Sequence, residues 1–77
     1  MKYSEEFKNF CRLLGKNIEK VRKKECMTLE ELSKITEIKK EYLKKIENGT
    51  AYEMKLVKHT AKISSALKVK LSDLFDY

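Results

Sequence analysis

The sequence predicts an all-α fold, a compact five-helix domain, and three observations carry that prediction. The 77 residues include no proline and only two glycines, Gly15 and Gly49. Such a chain has few helix breakers and too few turn formers for a β fold. Apolar residues recur at three- and four-residue intervals, the period of a helix with one buried face. Capping residues stand where those stripes begin and end.

The first helix is expected to open at Ser4, a capping residue followed by two acids, Glu5 and Glu6, favoured at the positive end of the helix dipole. Phe7, Phe10, Cys11, Leu14, Ile18 and Val21 form its inward stripe, and Arg22, Lys23 and Lys24 close it. Gly15 interrupts the stripe at a cost of about 1 kcal/mol relative to Ala, which leaves room for a bend or break in a helix that otherwise runs to about Lys24. Thr28 and Glu31 form a capping box for a second helix over 28–36, with Leu32 and Thr36 facing inward. That helix ends near Glu37, because Ile38 restarts the pattern with Tyr42, Leu43 and Ile46. The third helix is expected over 39–48, with Gly49 as its left-handed cap. A polar stretch, 50–55, leads into a fourth helix with Leu56, Thr60, Ile63 and Leu67 inside. Leu71, Leu74 and Phe75 mark a fifth that folds back on the first.

Residues 28–49 are thus two short amphipathic helices with a three- or four-residue connection. Helices joined so tightly cross steeply, and the second projects from the body. Its outer face carries Lys39, Lys40, Lys44 and Lys45. A basic helix standing clear of a small domain suits the major groove of DNA. The net charge of +6 and a pI near 9.3 agree with a polyanionic partner, although lysine is also an ordinary way to solvate a helix.

Other chemistry finds little support. Cys11 and Cys26 match no metal or redox spacing, and on one helix they would lie about 22 Å apart, too far for a disulfide. They read as small hydrophobes of a reducing cytosol. His59 has no companion at ligand spacing and reads as a surface residue. Ser4, Ser33, Ser64 and Ser65 have no His–acid constellation, so no enzyme, metal or cofactor is expected. The absence of a long apolar run or signal-like segment argues for a cytoplasmic protein.

From Leu14 to Phe75 the chain resembles the lambda-repressor-like, Cro/Xre-type helix-turn-helix family. The matching segments are LGKNIEKVR (14–22), MTLEEL (27–32), IKKEYLKKIENG (38–49) and ISSALKVKLSDLF (63–75). The resemblance implies a single domain over 1–77, in which residues 1–13 extend the first helix beyond the family's core. It implies that helix 28–36 lies across the DNA backbone and helix 39–48 enters the major groove. Lys40, Glu41 and Lys45 fall where the family reads base edges, with Lys44 close by. Thr28, Lys39, Asn48 and Thr50 fall where it touches phosphates. Arg22 and Glu47 match a buried salt bridge between the first and third helices.

The chain departs from the family pattern at several positions. Glu37, Cys26 and Lys68 stand where glycine is usual, Ser33 replaces a helix-packing alanine, and Leu29 replaces a glutamine that contacts phosphate and base. The function implied is a sequence-specific regulator binding double-stranded DNA, a homodimer on a pseudo-palindromic operator and most simply a repressor. Phage repressors, restriction–modification controllers and antitoxins all use this domain. The alternative is a protein-interaction module on the same scaffold, using Leu29, Ile35 and the extended first helix. Phe7, Phe10, Phe75 and Tyr77 either form a dimer interface or complete the core.

Overall fold

The computed structural model describes residues 3–52 and 56–75, which form five helices and no strand. They are α1 (Glu5–Lys24), α2 (Leu29–Thr36), α3 (Lys40–Glu47), α4 (Leu56–Ala66) and α5 (Leu71–Phe75). Ser4 caps α1 by accepting the Phe7 N–H at 3.1 Å. The capping box of α2 is closed in both directions: Thr28 Oγ1 accepts the Glu31 N–H at 3.1 Å, and Glu31 Oε1 accepts the Thr28 N–H at 2.9 Å. The third helix is one residue shorter at each end than 39–48, with Lys39 and Asn48 as its caps.

The core is assembled from one stripe of every helix. Ile18, Leu32, Leu43, Ile63 and Leu74 are fully excluded from solvent, and Cys11, Leu14, Ile46 and Leu67 nearly so. At about 1.5–3 kcal/mol for each large side chain buried, this cluster is the main source of stability. Thr36 and Thr60 are buried within α2 and α4, each donating its hydroxyl to a carbonyl four residues earlier. α5 closes against α1 through Asn17 Nδ2, which donates to the Leu74 carbonyl at 2.8 Å.

Three expectations require correction. α1 runs unbroken through Gly15, which serves close packing: a Cβ there would lie 2.5 Å from the Glu47 carbonyl oxygen and closer still to that of Ile46. Phe10 is 43% exposed; it leaves the inward stripe to stack on Phe75, with centroids 5.4 Å apart. Gly15, Asn17 and Arg22 are buried as well, because α1 is covered by both α3 and α5. His59 is half-buried with its ring edge-on to Tyr42 at 4.9 Å, so it packs between α4 and α3. Phe7 belongs to an aromatic cluster with Tyr3 and Tyr52. Tyr77 and the 53–55 part of the polar stretch lie outside the described residues.

Cys26, Glu37 and Lys68, the three positions where the family favours glycine, all adopt left-handed backbone, with φ of 56°, 61° and 59°. For a residue with a Cβ this costs about 1–2 kcal/mol. At Glu37 the neighbouring side chains offset the strain. Ser33 Oγ donates to the Ile38 carbonyl at 2.5 Å, and the Thr36 hydroxyl accepts the Ile38 N–H at 3.3 Å. The turn therefore keeps its shape by hydroxyl bracing rather than by glycine. Gly49 retains the usual solution, with φ of 75° and its Cα face against the α1 backbone at Arg12.

Candidate nucleic-acid interface

The α2–α3 unit is held to the body along one side of α3. Leu43 and Ile46 point into the core, and both glycines of the chain lie at the α1–α3 seam. At the far end of α3 the Arg22 guanidinium meets the Glu47 carboxylate with two bonds, Nε to Oε2 at 2.7 Å and Nη2 to Oε1 at 3.1 Å. Arg22 Nη1 also donates to the Met27 carbonyl at 2.8 Å, tying in the α1–α2 connection. The two side chains are only 9% and 6% exposed. Hydrogen bonding to Glu47 and its charge hold the Arg22 pKa above its ordinary value, against the opposing effect of burial.

The other side of α3 faces solvent. Lys39, Glu41, Lys44, Lys45, Asn48 and Thr50 are all exposed. Thr50 Oγ1 donates to the Lys45 carbonyl at 3.3 Å, fixing the chain just beyond the helix. Thr28 is exposed, at the start of α2 and within its capping box. Lys40 differs from its neighbours. Its ammonium lies 2.7 Å from Glu30 Oε2 on α2, and the side chain is 41% exposed. Hydrogen bonding to Glu30, then the Glu30 charge, raises the Lys40 pKa, and the same bond lowers that of Glu30. Among the described residues the outer face of α3 therefore presents Lys39, Lys44 and Lys45 with no salt-bridge partner and Lys40 already engaged.

Thr28, Lys40 and Lys44 line a shallow groove with Lys23 and Glu30, between the end of α1, the start of α2 and α3. Lys23 and Glu30 were not apparent as site residues in the sequence. Glu30 reads there as a first-turn acid favoured by the α2 dipole, and only the crossing of α2 over α3 brings it to Lys40. Leu29, central to the protein-interaction alternative, is half-buried against the core; Ile35 is 58% exposed.

Cys11 is buried, which raises its thiol pKa, and Cys26 is exposed. Among the described residues no group of His, Cys, Asp or Glu is arranged to hold a metal ion, and no helix is long and apolar enough to cross a membrane.

A family model described as "Helix-turn-helix domain" matches residues 15–76. The chain belongs to the Cro/Xre-like helix-turn-helix family. This helix-turn-helix chain also resembles the crystal structure of a transcriptional regulator of the HTH_3 family from Vibrio cholerae, with a TM-score of 0.80 at 23% identity. The match covers 90% of this chain and 38% of that regulator, so the shared part is the fold of one portion of a longer protein. No curated protein matches. Membership of the family supports a DNA-binding regulator in general.

Proposed function

We propose that this helix-turn-helix protein is a sequence-specific regulator of transcription that binds double-stranded DNA with α3 in the major groove. The observation that carries the proposal is the division of α3 into two sides. One is pinned to α1 by Gly15 and the Arg22–Glu47 pair; the other offers Lys39, Glu41, Lys44 and Lys45 to solvent. A recognition element needs both, because base readout depends on side chains projecting from a backbone that does not yield.

Lys40, Glu41 and Lys45, with Lys44 beside them, are assigned to base edges. Lysine reads guanine through O6 and N7, and Glu41 accepts from the amino group of cytosine. Thr28, Lys39, Asn48 and Thr50 are assigned to phosphates, which set the register. A homodimer would place two copies of α3 about 34 Å apart, one turn of B-DNA, on a pseudo-palindrome. Such a dimer acts most simply as a repressor, by covering a promoter. The exposed, stacked Phe10 and Phe75 beside exposed Leu13 are the surface that best suits self-association.

Selection of bound duplexes from a random library at about 150 mM salt tests the reading. An enriched pseudo-palindrome with half-sites one turn apart is the expected result. Weak salt-sensitive binding with no enrichment would instead favour the protein-interaction module, for which exposed Ile35 is the supporting observation.

A further inference from the structure

We propose that Glu30 tunes specificity by competing with DNA phosphate for Lys40. The inference rests on the DNA-binding reading above and adds to it a residue that contributes selectivity without itself reading a base.

Among the described residues Glu30 is the one carboxylate lining the groove that it forms with Lys23, Thr28, Lys40 and Lys44. Its neighbour Glu31 is turned back into the capping box, bonded to the Thr28 N–H. The Glu30 side chain is 68% exposed and reaches from α2 to Lys40 at the first turn of α3, at 2.7 Å. A pair this exposed contributes little to holding the fold, unlike Arg22–Glu47. It is also readily exchanged: an arriving anion can take the ammonium from Glu30, and a cation engaged by a carboxylate is discounted as a phosphate contact.

The consequence differs between the two kinds of DNA. On a non-specific duplex the protein rests on phosphates, and affinity follows the number of cations that neutralise them. There Glu30 offsets the charge of Lys40 and repels the backbone at short range. On the operator Lys40 exchanges the Glu30 carboxylate for a guanine edge, a contact that a random duplex does not supply in register. Glu30 thus weakens binding everywhere, and most where Lys40 has only phosphate to gain.

The test uses the full chain as wild type, Glu30→Gln, Lys40→Ala and the double variant. Binding is measured by fluorescence anisotropy on the selected duplex and on a scrambled duplex of equal length, across a salt series. Glu30→Gln is expected to strengthen binding to the scrambled duplex by up to about fivefold and to steepen its log–log salt slope by about one. Operator affinity rises less, so the ratio between the two falls. In the Lys40→Ala background Glu30→Gln should give only a small part of that gain, the part owed to direct repulsion of the backbone. An unchanged slope on the scrambled duplex, or weakened operator binding, would overturn the proposal. So would a gain of the same size without Lys40, which would mark a bulk charge effect. If the wild type binds neither duplex, the DNA reading itself falls and this inference with it.

Discussion

Two ion pairs flank α3, each closing at 2.7 Å, and they differ in almost everything else. Arg22–Glu47 is bidentate, almost wholly buried and joined to the Met27 carbonyl; Glu30–Lys40 is a single contact in an open groove. The lesson is that distance alone says little about what a pair does. Removing one partner of the buried pair strands a charge that has little access to water. Removing one partner of the exposed pair returns the other to solvent. The first arrangement sets where α3 sits, and the second affects what its outer face can bind.

The largest effect should come from the buried side. Glu47→Ala is expected to lower unfolding stability by about 3 kcal/mol, read from chemical denaturation, because Arg22 is left buried and unpaired. A loss no greater than that of Glu30→Gln would erase the distinction between the two pairs. Gly15→Ala should cost about 2 kcal/mol despite the better helix propensity of alanine, since the new Cβ meets backbone oxygens of α3 that have no flexible end to move. If it proves neutral, the α1–α3 seam is looser than its geometry implies.

On the turn that joins α2 to α3, Glu37→Gly is expected to stabilise the protein by about 1 kcal/mol by relieving the left-handed backbone. A loss of stability there would mean that the bracing by Ser33 and Thr36 already removes the strain. The smallest effect concerns acid. The Thr28 N–H and hydroxyl hold the Glu31 pKa below its ordinary value, so the capping box contributes fully at neutral pH. That contribution is lost as pH falls from the ordinary carboxylate range, near 4.3, through the lowered folded value. Amide exchange in the first turn of α2 should quicken over that window, while exchange at Leu43 and Ile46 in α3 does so only with global unfolding.

The helices were legible because stripe and cap agreed: Ser4, Thr28, Glu31 and Gly49 all take the roles that their positions in the sequence suggest. The misread positions are those where the answer depends on what packs opposite. Gly15 looks like a flaw in a helix until the carbonyls of α3 are placed against it. Phe10 fits the α1 stripe by period, yet α5 ends beside it and offers Phe75 rather than the core. Of the candidate site, the exposed lysines of α3 followed from spacing, and Arg22 with Glu47 from the family resemblance. The Glu30–Lys40 pair followed from neither, because two residues ten apart on different helices meet only once the crossing of α2 and α3 is known.

The central claim is that the two sides of α3 are separable, one holding the fold and the other holding DNA. The most direct measurement is thermal melting and operator affinity of the Lys44→Ala/Lys45→Ala double variant, side by side. The account predicts a melting temperature close to wild type with operator binding weakened at least about tenfold and a shallower salt slope. Operator binding at wild-type strength, or a loss of binding matched by a loss of folding, would contradict it.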